Sequence, residues 1–149
     1  RYETVLWLDA DVVIVDSTDS ILDDVRGDAW QGLVEHHTEC GDVPNCGVWV
    51  AREPLLDTLR SIWADRERYL HHPWWEQGAV IERLGYTLPQ GGVCRLAAPT
   101  DLLSRTHFLP SRWNDHPRDS GRTATPAFVH VTQYGDRVAV AQEAAAHAH

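Results

Sequence analysis

Thr4-Val5-Leu6-Trp7-Leu8-Asp9-Ala10-Asp11-Val12-Val13-Ile14-Val15 holds two apolar or β-branched runs separated by a pair of acids. Thr4 to Leu8 shows no polar alternation, so it reads as a strand buried on both faces in the middle of a sheet. Asp9 and Asp11 stand two residues apart. In extended chain that spacing turns both carboxylates to one side, roughly 7 Å apart at the Cα atoms. Unpaired carboxylates at the end of a buried strand are costly. A hard divalent cation, Mn²⁺ or Mg²⁺, relieves the conflict by oxygen ligation. An ordinary solvated strand end accommodates the same two acids, so both readings stay open.

The 149 residues suffice for one domain with a sizeable core, and the 43% hydrophobic content with seven tryptophans fits one. The 13 basic residues are all arginine, against 22 acids, for a net charge of −9. An acidic chain without a basic stripe is a poor nucleic-acid binder. Seven aspartates fall between Asp9 and Asp28, concentrating the charge around the opening motif. Three cysteines without a C-x-x-C pair read as free thiols in a reducing compartment. A zinc site of Cys40 with His36 and His37 lacks the usual spacing, and a Cys40–Cys46 disulfide requires an oxidising compartment. No apolar run approaches a membrane span and no signal peptide is visible. The expected location is cytoplasmic, or Golgi-type and membrane-anchored if a segment ahead of Arg1 carries an anchor.

Beyond the opening strand, Asp16 to Asp19 reads as a turn, Ser20 to Val25 as a short helix and Ala29 to Glu35 as a strand. His36 to Pro44 reads as a polar loop, and Asn45 to Arg52 as a second buried strand. Leu55 to Leu70 carries apolar residues at helical spacing. Trp74 to Leu84 is a further helix closed by Gly85. Tyr86 to Leu88 and Val93 to Leu96 are short extended pieces, residues 109 to 125 long loops, and Phe128 to Val131 a last strand. Residues 138–149 form an Ala-rich tail with helical propensity.

Four features carry chemistry. Asp9 and Asp11 are the first. Asn45-x-Gly47 opens the second strand and also fits a plain turn. Trp74-Trp75-Glu76-Gln77 begins a helix, where the dipole favours Glu on structural grounds alone. Two adjacent indoles on a helix cannot both face inward, so one lines a groove, and flat aromatic faces suit sugar rings. His130 stands inside an apolar strand, fitting either a hydrogen-bonded core histidine or a third ligand to a carboxylate-held Mn²⁺. Gly135 and Arg137 follow it, suited to close backbone approach and to neutralising a diphosphate.

The order of these features resembles the metal-dependent glycosyltransferases of the GT-A fold, an α/β fold whose mixed sheet is flanked by helices. Val5-Leu6-Trp7-Leu8-Asp9-Ala10-Asp11, Trp75-Glu76-Gln77 and Leu109-Pro110-Ser111-Arg112-Trp113-Asn114 look most like the family 34 galactosyl-, mannosyl- and xylosyltransferases. The resemblance spans Tyr2 to Arg137, making residues 1–137 the C-terminal portion of the catalytic domain. It implies transfer of a hexosyl or pentosyl group, with retention, from a UDP- or GDP-linked sugar to a hydroxyl of a glycan or other acceptor. It further implies Asp9, Asp11 and His130 as ligands of Mn²⁺ (or Mg²⁺), with Asp9 also touching the ribose. Glu76 and Gln77 would be catalytic, and Asn45, Gly47, Trp75, Asn114, Gly135 and Arg137 would bind substrate. The family places a nucleotide-binding βαβ half ahead of the D-x-D strand. This chain lacks that half, so it reads as a fragment whose activity alone is open.

Two other readings compete. Leu8 to Ser17 also looks like the opening of haloacid dehalogenase-like phosphohydrolases, with Asp9 as nucleophile and Asp11 as general acid. That chemistry wants a lysine, occasionally an arginine, and a later acidic pair for the metal; this chain has no lysine and after Gly92 offers only the scattered Asp101, Asp115 and Asp119. A non-catalytic carbohydrate-binding piece would instead use Trp74, Trp75 and Trp113 as sugar platforms.

Overall fold

The computed structural model describes residues 2–87, 93–116, 119–131 and, in the tail, 139, 141, 142 and 146. In chain order the regular elements are β1 (Thr4–Leu8), β2 (Val12–Ile14), α1 (Ile21–Asp24), β3 (Gln31–Thr38), β4 (Gly41–Arg52), α2 (Leu56–Ala64) and α3 (Trp75–Leu84). They continue with β5 (Tyr86–Thr87), β6 (Arg95–Leu96), α4 (Asp101–Ser104), β7 (Thr106–Leu109) and β8 (Phe128–His130). The main sheet runs β1-β4-β3-β7, antiparallel except for the parallel β3–β7 pair. A small antiparallel ribbon joins β2 to β8. The sheet is therefore mixed and flanked by helices, as the α/β expectation required.

Apolar side chains fill both faces of the sheet. On one face Leu33 and Cys46 meet Leu55, Val80, Leu84 and Leu102 beneath α2, α3 and α4. On the other, Val34, Val48, Val50 and Leu109 meet Ile21, Val25, Trp113 and Phe128. Burying one such Leu or Val contributes about 1.5–3 kcal/mol. Ser20 caps α1 by accepting from Leu22 N–H, and Gly85 ends α3 at φ +96°, as expected of a C-terminal glycine.

Three expectations are corrected. β1 is not central: among the described residues it pairs only with β4, and Val5, Leu6 and Trp7 are 49%, 39% and 57% exposed. Its apolar run on both faces matches a buried strand, yet the described residues cover only one edge. The expected loop from His36 to Pro44 is instead a hairpin, turned at Gly41 (φ +90°) with Thr38 Oγ1 accepting from Cys40 N–H. The loop expectation fails because polar residues face both ways: His36 is buried while His37 faces outward to Asp42. The expected helix to Leu70 stops at Ala64. There Asp65 pairs with Arg83 and Tyr69 donates to Glu82, tying the following turn to α3. Between Leu96 and Leu109, where the sequence reading assigned no element, the chain forms α4 and β7.

Candidate metal centre

Asp9-Ala10-Asp11 is a tight turn, closed by Val12 N–H donating to Asp9 C=O at 3.1 Å, rather than extended chain. It is the point where the backbone leaves the main sheet for the β2–β8 ribbon. There Val12 pairs with His130, and Val131 N–H donates to Asp11 C=O at 3.0 Å. Carboxylate oxygens of Asp9 and Asp11 and a ring nitrogen of His130 consequently lie within 4.8 Å of one another. His130 Nε2 is 3.3 Å from Asp11 Oδ1 and 3.9 Å from Asp9 Oδ2. Trp7 Nε1 donates to the other Asp9 oxygen at 2.8 Å, which aims Oδ2 at the cluster.

Burial pushes the His130 pKa below its ordinary value, against the opposing pull of Asp11 and Asp9. A neutral imidazole beside two carboxylates is a set of lone pairs converging on one point. Two oxygens and an imidazole nitrogen match the ligand preference of Mn²⁺, and less fully of Mg²⁺. The residues fit the cation.

The Asn45-x-Gly47 motif forms an irregularity in β4. The register passes from Leu33↔Trp49 to Val34↔Asn45, so Cys46, Gly47 and Val48 have no counterpart on β3. The irregularity carries Gly47 C=O to Asp9 N–H at 2.8 Å and lays the Gly47 backbone against the His130 ring. A Cβ at Gly47 would lie 2.6 Å from His130 Nδ1, so only glycine fits. Asn45 Oδ1 accepts from Gly47 N–H at 2.8 Å and from Asn114 Nδ2 at 2.7 Å, while Asn45 Nδ2 donates to Gln77 Oε1 at 3.1 Å. Asn114 Oδ1 is 3.2 Å from His130 Nδ1. Four separate stretches of sequence thus meet in one hydrogen-bonded chain.

Asn114 is fully buried and makes its side-chain contacts within the protein. Glu76 is exposed, and its charge helps raise the Cys46 thiol pKa, although burial is the larger cause. Trp75 is 62% exposed and lines a groove with Leu59, Ile62, Trp63 and Leu70, apart from the amide chain. Its φ of +37° is strained for a bulky residue. Gly135 and Arg137 lie outside the described residues. Trp113 is 1% exposed with its Nε1 donating to Asp24 Oδ2 at 2.6 Å, which rules it out as a sugar platform. All three cysteines are free.

Sequence reasoning weighed His36 only as a zinc ligand with Cys40 and did not place it, or His116, beside His130. Their ring centroids lie 5.3 Å apart with the planes tilted by 39°, and they lie 6.4 and 6.2 Å from that of His130, forming a buried imidazole cluster. Burial pushes the His36 pKa down to about 4, and its Nε2–H donates to Asn114 C=O at 2.8 Å. The available signal was period-two alternation: His36 follows Val34 on the inward side of a strand. Glu35, His37 and Asp42 form a second group able to hold a cation. There Tyr86 already donates to Glu35 and His37 bonds Asp42, each at 2.8 Å.

No family model and no curated protein matches the chain. Among solved structures, a glycosyltransferase involved in glycosylating the major capsid of PBCV-1 matches with a TM-score of 0.63 at 18% identity. That match covers 95% of this chain and 66% of the other. The WbbM bifunctional glycosyltransferase matches with a TM-score of 0.51 at 15% identity, over 89% of this chain and 29% of its own. The chain therefore spans less than two thirds of either, and it shares with both a glycosyltransferase fold.

Proposed function

We propose that this chain carries the metal-binding portion of a glycosyltransferase that moves a hexosyl or pentosyl group, with retention, from a UDP- or GDP-linked sugar to a hydroxyl acceptor such as a glycan. Family 34 is the kinship its motifs favour. The observation that carries this reading is the convergence of Asp9, Asp11 and His130 at the turn between sheet and ribbon, on a fold shared with glycosyltransferases.

The chemistry a bound Mn²⁺ would supply is positive charge to offset that developing on the leaving diphosphate. Asp9, Asp11 and His130 would hold the cation, with Trp7 fixing the Asp9 carboxylate. Gln77, anchored by Asn45, would meet the sugar at its reacting face, and Glu76 beside it would stabilise positive charge on the sugar ring. Arg137 would add a cation at the diphosphate, with Gly135 permitting close approach. The edge of β1, exposed and unpaired among the described residues, suits a sheet continued by a further strand. The absence of lysine disfavours the phosphohydrolase.

Calorimetric titration of UDP and GDP into the full chain, with and without Mn²⁺, tests the proposal. Binding should require Mn²⁺ and be abolished by Asp11→Ala, with the circular dichroism spectrum unchanged. Binding indifferent to Mn²⁺, or no binding of either nucleotide, would reject it and leave the carbohydrate-binding reading.

A further inference from the structure

Trp75 combines a strained backbone with an exposed side chain. Its φ of +37° is the one positive value outside glycine among the described residues, and its surface is 62% open. Both cost free energy in a bulky aromatic residue, and such strain persists only where the surroundings enforce it. The turn ahead of α3 does so. Trp74 N–H donates to His72 Nδ1 and Trp75 N–H to His72 C=O, each at 3.1 Å, while Gly78 N–H donates to Trp74 C=O at 3.0 Å. A Cβ on Gly78 would lie 2.8 Å from His72 Nδ1, so the imidazole packs directly on the helix. The indole of Trp75 is thus held outward by a built turn.

It lines a groove of about 280 Å³ between α2, α3 and the turn joining them, together with Trp63, which is 70% exposed. The groove carries one cation and one acid: Arg66, whose guanidinium lies 5.0 Å from the Trp63 ring centroid, and Glu76. Flat indole faces beside isolated polar handles suit a pyranose, which stacks its C–H face while its hydroxyls take hydrogen bonds. One charge of each sign leaves the groove neutral, and a net charge of −9 on the chain repels acidic ligands, so the fitting saccharide is uncharged. Leu59 and Glu76 also line the neighbouring groove beneath β1, which includes the Trp7 that holds Asp9. We propose that Trp63 and Trp75 are the stacking platforms of a subsite for a neutral oligosaccharide, the acceptor, whose end is led past Glu76 toward the metal centre. The acceptor role rests on the proposed glycosyl transfer, whereas saccharide binding is testable without metal or nucleotide.

Magnetic resonance of the indole Nε1–H groups in the full chain, free of Mn²⁺ and nucleotide, reads the binding of neutral gluco-, galacto-, manno- and xylo-oligosaccharides. At least one of them should shift the Trp63 and Trp75 signals and leave that of the buried Trp113 in place. Trp63→Ala and Trp75→Ala should each weaken its affinity about tenfold, as loss of an interface anchor does. Trp75→Gly removes the indole and the strain together, so it should lose the saccharide without lowering the melting temperature. A lowered melting temperature would mean that the indole serves the fold and would overturn its assignment to a ligand. No shift from any of the four saccharide types, tighter binding of an acidic oligosaccharide, or unchanged affinity in both alanine variants would overturn the subsite. So would self-association, or adsorption to uncharged lipid vesicles, that the alanine variants abolish. Saccharide binding by a chain that takes up no nucleotide with Mn²⁺ would instead reject the glycosyl-transfer reading and leave the saccharide site standing.

Discussion

At the scale of single residues, two positions report on the site. Gly47 passes under the His130 ring with no room for a methyl group. Gly47→Ala should displace the imidazole, costing about 1–3 kcal/mol by overpacking and lowering Mn²⁺ affinity together with stability. Chemical denaturation and metal titration on the same variant check both, and unaltered Mn²⁺ affinity would contradict the placement of His130. His36 tests the buried cluster through pH. Its folded-state pKa is depressed by burial from 6.5 to about 4. Its contribution is thus fully present above pH 6.5 and is lost as the pH falls through 4. That displacement corresponds to roughly 3 kcal/mol. Denaturation midpoints should fall more steeply between pH 6.5 and 4 in the native chain than in His36→Gln. Equal slopes would contradict a buried neutral His36.

At the scale of elements, β1 invites association. Val5, Leu6 and Trp7 are exposed along an edge unpaired among the described residues, and Val5, Trp7, Trp49, Leu56 and Leu59 line an apolar groove of about 320 Å³. Flat apolar edges recruit further strands. Sedimentation at rising concentration should show association that Val5→Lys suppresses, whereas a concentration-independent monomer would contradict an adhesive edge. The same strand shows where sequence reading stopped. Its apolar pattern identified a strand correctly but not its position, because two-faced burial in sequence assumes neighbours the described residues do not supply. Asn45-x-Gly47 was legible as a small-residue motif, yet its irregular geometry depends on register with β3, which no local pattern encodes. The hairpin at Gly41 was hidden because His36 is buried among other imidazoles, and a polar residue facing inward breaks the alternation that marks a strand.

For the whole molecule, much of the acidity near the amino end is internally balanced. Arg112 pairs with Asp19 at 2.8 Å, Arg26 with Asp28, and Trp113 donates to Asp24. Hydrogen bonds from Thr18 hold the Asp16 carboxyl below its ordinary pKa, with Arg112 assisting. Asp9 and Asp11 lack an arginine among these pairs and face His130 instead. In the sequence, Asp9, Asp11 and His130 are grouped only by the resemblance their order carries; the pairing of β2 with β8 brings the Asp9–Asp11 turn against His130. The supporting Asn114 contacts and the histidine cluster were not legible, being products of packing between distant segments. No helix among the described residues is long and apolar enough to cross a membrane. Cation binding at Asp9, Asp11 and His130 is the central claim. Pulsed electron paramagnetic resonance of Mn²⁺ added to the full chain should show nitrogen coupling from one imidazole, absent in His130→Gln while the melting temperature of the metal-free chain stays nearly constant. Mn²⁺ without nitrogen coupling, or with coupling that survives His130→Gln, would contradict it.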